Sequence, residues 1–245
     1  MSESLIIPNW DVPSTVRAVS TTRMGGVGDT PWNTFNLGSH VGDNLDVVKR
    51  NRDRLIEVAK LPAPPFWLNQ IHSDRVINTV ASSTNLPDAD ASFSREAGSV
   101  CVVMTADCLP VLFCNRQGTQ VAAAHAGWRG LCDGVLENTL ATFDDDPSDI
   151  ITWIGPAIGP QAFEVGSEVR AAFISHQEVA AQCFTARGEK YLADLPRLAE
   201  LRLKRAGVDA IYQSQRCTFS EAEYFFSYRR DGQTGRMASL VWLEK

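Results

Sequence analysis

The chain has 245 residues, 44% of them hydrophobic and 21% charged, with 23 Lys and Arg against 29 Asp and Glu for a formal net charge of −6. A chain of this size and balance buries a core without staples, which excludes a disordered chain, a fibrous protein and a disulfide-dependent miniprotein. The acidic balance, with no basic run longer than Arg229–Arg230, argues against a nucleic-acid partner and leaves small molecules.

In chain order, Val16–Thr22 reads as a strand. It leads into a turn-rich loop that carries Arg23, Gly25, Gly26, Gly28, Pro31, Asn33 and Asn36. A helix is expected over about 43–60. Asp43 is its N-cap, and Leu45, Val48, Leu55, Ile56 and Ala59 share one face. Pro62, Pro64 and Pro65 stop it. Short strands are expected at Phe66–Gln70, Arg75–Val80, Val100–Met104, Val111–Cys114 and Gln120–Ala124, with a hairpin turn at Asn115–Gly118. A helix over about 129–143 turns Leu131, Val135, Leu136 and Leu140 inward. Ile150–Ile154 is a strand, followed by the rigid turn Gly155–Pro160. Glu168–Ser175 and Leu195–Ala206 read as helices, the second closed by Gly207 as its C′ residue. Val208–Tyr212 and Met237–Leu243 are the closing strands. Strands cluster instead of alternating with helices, and no linker is visible. Both features predict one α+β domain over residues 1–245 with mixed β-sheets layered with helices.

The chemistry-bearing residues are few. The six cysteines include no C-x-x-C pair, which excludes a thioredoxin-like motif or a zinc finger. Met1–Pro8 lacks the cationic and apolar regions of a signal peptide, and no apolar run approaches the ~20 residues of a membrane helix. A reduced, soluble, cytoplasmic protein with no membrane partner is the expectation. Four histidines are present. His40 and His176 lie in polar surroundings and read as surface residues. Cys101, Cys114 and Cys132 sit in apolar segments and read as core. His72, Cys108 and His125 stand at strand ends beside small or turn residues, where scaffolds present functional groups. Two imidazoles and a thiolate can hold zinc with a fourth position open. Alternatively, Cys108 is a nucleophile with a histidine base oriented by Asp107 or Asp74. Spacing does not choose between the two. The glycine-rich loop lacks G-x-G-x-x-G and the P-loop pattern.

Three segments, Asn69-Gln-Ile-His-Ser-Asp74, Thr105-Ala-Asp-Cys-Leu-Pro-Val111 and Ala124-His-Ala-Gly-Trp-Arg-Gly130, resemble signature blocks of the laccase-domain, or multicopper polyphenol oxidase, family. Thr22–Gly26, Gly155–Pro160 and Phe226–Arg236 match further blocks in the same order, so the resemblance runs from about residue 16 to 243. It implies a cysteine-hydrolase-like α/β/β/α sandwich and a metal held by His72, Cys108 and His125. It also implies zinc in preference to copper. The activity it implies is that of a zinc-dependent purine nucleoside phosphorylase (adenosine, inosine or methylthioadenosine plus phosphate) with adenosine deaminase activity. Two alternatives come with it. One is a peptidoglycan editing hydrolase that removes L-serine from a UDP-muramic acid precursor. The other is a copper-dependent polyphenol oxidoreductase, for which four histidines are too few to build a multicopper array. Under the phosphorylase reading Arg23, Arg129 and Arg229 are candidates for phosphate and Asn36 for the ribose hydroxyls. A monomer or weak dimer is expected. One departure is visible: Cys217–Glu221 carries serine where many relatives have a second cysteine.

Overall fold

Alternation along three central strands sets the architecture. Val111 and Phe113 pack on one side of their strand and Leu112 and Cys114 on the other, so both faces of that sheet are covered. The computed structural model describes residues 4–79 and 86–244. In chain order its principal elements are β1 (Leu5–Ile6), β2 (Val16–Thr21), α1 (Leu45–Ala59), β3 (Val76–Asn78), β4 (Ala91–Ser94), β5 (Val100–Thr105), β6 (Leu109–Asn115) and β7 (Val121–Ala126). There follow α2 (Trp128–Asp133), α3 (Val135–Leu140), β8 (Ile150–Ile154), β9 (Glu164–Val165), α4 (Ser167–His176), β10 (Phe184–Arg187), β11 (Lys190–Ala193), α5 (Leu195–Arg205), β12 (Ala210–Gln213), α6 (Tyr228–Asp231) and β13 (Met237–Leu243).

A mixed six-stranded sheet runs β12-β8-β6-β7-β4-β3, with its two edge pairs parallel and the rest antiparallel. An antiparallel four-stranded sheet runs β1-β2-β13-β5. The two sheets face each other across Val16, Val103, Leu112, Val121, Trp153 and Val241. α2, α3, α4 and α5 cover the outer face of the larger sheet through residues such as Leu131, Leu136, Phe173 and Leu198. α1 covers the smaller sheet through Leu55 against Val100, Val102 and Leu240. This is the expected α/β/β/α sandwich, a mixed α+β domain. A small third sheet, β10-β11-β9, lies outside both. No helix among the described residues is long and apolar enough to cross a membrane.

Several local expectations are corrected. The N-cap of α1 is Asn44, whose Oδ1 accepts from Asp46 N–H at 2.9 Å, while Asp43 accepts from Asn44 N–H and from the Asn36 amide. Leu45 is 64% exposed and does not share the buried face of Val48 and Leu55. The helix expected over 129–143 breaks in two at Gly134, whose φ of +110 suits glycine. Phe66–Gln70 makes only isolated bridges to Cys101 and Asp88. Val80, the end of another expected strand, lies outside the described residues. Gly118 N–H donates to the Asn115 carbonyl at 3.0 Å, and this closes the expected turn between β6 and β7. Cys101 and Cys114 are core residues as expected, and burial pushes both thiols up to about 12. Cys132 is buried too.

Candidate metal centre

β6 and β7 pair in antiparallel register with Pro110 opposite His125. That register sets Cys108, one residue before β6, beside the C-terminal end of β7. His72 arrives from the loop preceding β3. Its φ of +61 is left-handed backbone for a residue with a Cβ, as is the φ of +87 at Asp107. Such backbone costs on the order of 1–3 kcal/mol and persists only where neighbours enforce it.

The neighbours are on hand. Asp90, fully buried at the entrance to β4, was not singled out in the sequence, and it organises both histidines. Its Oδ1 accepts from His72 N–H (3.0 Å) and meets His125 Nδ1 (2.8 Å). Its Oδ2 accepts from the Ile71 N–H, the Ser73 N–H and the Ser73 hydroxyl. A carboxylate that accepts from so many donors is ionised, so His125 Nδ1 keeps the proton facing it, and Nε2 is the atom that becomes a ligand once the ring is neutral. The carboxyl sits below its usual range: burial opposes ionisation, but the bonds to His125 and Ser73 outweigh it. Burial would likewise lower His125; the Cys108 sulfur and Asp90 overcome that and hold it up at about 9. His72 is lowered by burial and by His125.

Asp107 does not orient a histidine. Its Oδ1 accepts from the Thr218 hydroxyl (2.6 Å), and its Oδ2 from the Ser227 hydroxyl (3.0 Å) and Arg229 N–H (2.7 Å). It therefore ties the chain around α6 to the cysteine loop. Asp74 accepts from Asn138. The Gln70 side chain clamps the His72 loop to β5, accepting from Met104 N–H and donating to the Met104 carbonyl.

The ligand atoms of His72, Cys108 and His125 all lie within 4.8 Å of one another. The imidazole rings meet edge to face with centroids 4.8 Å apart. Around a tetrahedral zinc, such donors stand ~3.3–3.6 Å apart, so the triad would close by up to about 1.5 Å around an ion. Gly127 makes the convergence possible: a Cβ there would stand 2.6 Å from His72 Nδ1 and 3.2 Å from Cys108 Sγ. The donor set, the fixed tautomer and the glycine cradle fit a metal ion.

The triad opens into a cavity of about 390 Å3. Its remaining wall includes His40, Gln70, Met104, Tyr228 and Arg236. His40 is indeed exposed, yet it faces this cavity, which the surface reading missed. Arg236 closes the Phe226–Arg236 block but was not picked out. The four other candidates lie outside the lining. The Arg23 guanidinium donates to the Asn33 carbonyl and side chain and to the Ala222 carbonyl. Asn36 is fully buried and saturated by Gly38, Asp43 and Arg236 N–H. Arg129 stacks on Trp128, and Arg229 donates to the Glu164 carbonyl.

Over residues 17–244 the chain matches the family described as multi-copper polyphenol oxidoreductase laccase, and it belongs to that family. It is 55% identical over 239 residues to the purine nucleoside phosphorylase YfiH of Escherichia coli strain K12, covering 98% of both chains. It is 53% identical to a purine nucleoside phosphorylase of Haemophilus influenzae, covering 98% of this chain and 99% of that one. Among solved structures, a Neisseria meningitidis protein superposes with a TM-score of 0.95 at 49% identity over 99% of this chain and 100% of that chain. YlmD from Geobacillus stearothermophilus follows at 0.84 and 32%, over 95% and 93%.

Proposed function

We propose that this cavity is the active site of a zinc-dependent purine nucleoside phosphorylase, cleaving adenosine, inosine or methylthioadenosine with phosphate. The observation that carries the reading is the convergence of His72, Cys108 and His125 at the floor of a solvent-open cavity, in a chain 55% identical to a relative of that name. A phosphate oxygen forms the new bond to C1′ of the ribose. The C1′–nitrogen bond breaks, its electron pair leaves with the purine, and the purine takes up a proton.

His72, Cys108 and His125 would hold the metal ion, which would supply positive charge to the cavity and, with three protein ligands, could take a further ligand. The protein's part is placement. Asp90 fixes both histidines, and Gln70 fixes their loop. Tyr228, 62% exposed at the cavity mouth, offers an aromatic face to a purine. Zinc is favoured over copper because His40 is the one further histidine lining the cavity among the described residues, too few for a copper cluster. The Met104 thioether, an axial ligand in blue-copper sites, instead accepts from Arg52 Nη2 at 3.9 Å. Adenosine deamination belongs to the same proposal as a side activity, since the open position also suits water. The enzyme is proposed to act in the cytoplasm as a monomer or weak dimer.

Purified protein, assayed for metal content and for release of hypoxanthine and ribose 1-phosphate from inosine plus phosphate, tests the reading. Product formation lost on chelation and restored by zinc is expected. Failure of zinc-loaded protein to form ribose 1-phosphate would end the proposal. L-Serine release from a UDP-muramic acid precursor would point to the hydrolase instead.

A further inference from the structure

Arg236 is a partly buried cation that lacks a carboxylate. Its Nη1 donates to the Thr234 and Gly235 carbonyls, at 3.1 and 3.0 Å. Among the described residues Nε and Nη2 have no protein acceptor and the guanidinium joins no ion pair. Its stem lies over Gly38, where an added Cβ would come within 2.7 Å of Arg236 Cγ, so the side chain is braced from behind. It lines the metal cavity and also an adjoining hollow of about 440 Å3, with His40 and Tyr228 shared between the two.

Thr234 lines the outer hollow, and its hydroxyl is buried without a hydrogen-bond partner. A buried hydroxyl left unpaired is costly, so a ligand atom that reached it would meet an unused donor. No carboxylate lines either cavity among the described residues, although the chain carries a net charge of −6. Arg52 adds a second cation nearby. Its guanidinium is spent on the Leu37 carbonyl, the Met104 sulfur and the Trp67 ring, not on an acid. The junction of the two cavities is thus a positive spot with free donors, the arrangement that attracts a tetrahedral oxyanion.

We propose that Arg236, Thr234 and His40 form the binding place of the phosphate co-substrate, at the junction of the two cavities. The inference rests on the phosphorolysis reading for the identity of the anion. It moves the phosphate contact away from Arg23, Arg129 and Arg229, whose side chains lie outside the cavity lining.

Calorimetric titration of inorganic phosphate into the metal-loaded protein tests it. Arg236→Gln keeps the stem over Gly38 and removes the charge. Its phosphate affinity is expected to fall roughly 10- to 100-fold with metal content and melting temperature unchanged. Thr234→Ala is expected to lose roughly 5-fold. In the assay with inosine, KM for phosphate rises in both variants while KM for inosine holds. Equal phosphate affinity in Arg236→Gln and the parent, or no binding to the parent, overturns the proposal. Should Arg236→Gln fail to fold, Arg236→Lys and Thr234→Ala carry the same comparison. Arg236-dependent phosphate binding without nucleoside cleavage would sink the phosphorylase reading and leave the anion place standing. Cleavage with an unchanged phosphate KM in Arg236→Gln would do the reverse.

Discussion

Cys108 and Cys217 are the two cysteines that reach partial exposure; the other four are buried. Each lines a cavity, of about 390 Å3 for Cys108 and about 260 Å3 for Cys217. Cys108 has two imidazoles converging on it and a buried carboxylate behind them. The Cys217 sulfur accepts from Gly159 N–H at 3.2 Å and from the Ser220 hydroxyl at 3.3 Å, and no histidine lines its cavity. An accessible thiol in a hollow is therefore common to both places. What separates them is the supporting shell, which at Cys108 makes a ligand set and at Cys217 only satisfies a sulfur.

Substitutions at the two places should diverge sharply. Cys108→Ala or His125→Ala should cost the bound metal and reduce phosphorolysis beyond the roughly 100-fold typical of supporting residues, read by metal analysis and product chromatography. Gly127→Ala is nearly as severe for the metal: φ at that position is −61, which alanine adopts freely, so only the collision with His72 and Cys108 acts. A melting temperature close to the parent's with little metal bound is the expected pair of results. Asp90→Asn should weaken metal affinity by roughly 10–100-fold, measured by competition with a chelating dye. A milder effect is the dependence on pH. His125 is held up at about 9 in the metal-free protein and must shed that proton to ligate, so metal affinity should climb as pH rises toward 9, with proton release seen by calorimetry in buffers of different ionisation heat. At the other end, Cys217→Ser should move stability by no more than about 0.5 kcal/mol and leave metal and activity unchanged. A Cys217→Ser variant that lost metal would break the comparison.

The layers were legible because alternation and length speak plainly where strands are buried on both faces. Met237–Leu243 was read with its observed bounds, and Ile150–Ile154 likewise. Ala91–Ser94 was missed because Ala-Ser-Phe-Ser carries one large apolar residue and shows its strand character only beside Val121–Ala124. β9 to β11 were missed because they are short and bury only Val165, Phe184 and Ala193. At the site, His72, Cys108 and His125 could be found because imidazole and thiol are rare and stood beside turn residues. Asp90 could not: acids are common, and its role depends on strand pairing that brings residue 90 to residue 125. A signal existed in Asp88-Ala-Asp90, two acids at the mouth of a small-residue strand. Arg236 had a weaker one, as the last residue of a recognised block. Membership of the matched blocks favoured Arg23, Arg129 and Arg229, and only the structure shows Arg23 and Arg229 engaged with backbone carbonyls and Arg129 stacked on Trp128.

β13 lies between β2 and β5, so it joins two strands that come much earlier in the chain. During translation β2 and β5 keep edges unpaired until residues 237–243 leave the ribosome. Arg236, one residue ahead of that strand, enters the cavity at the same moment. Removal of residues 236–243 would thus bare two strand edges and take Arg236 out of the cavity wall in one event, so closure of the smaller sheet and completion of the pocket are the same step.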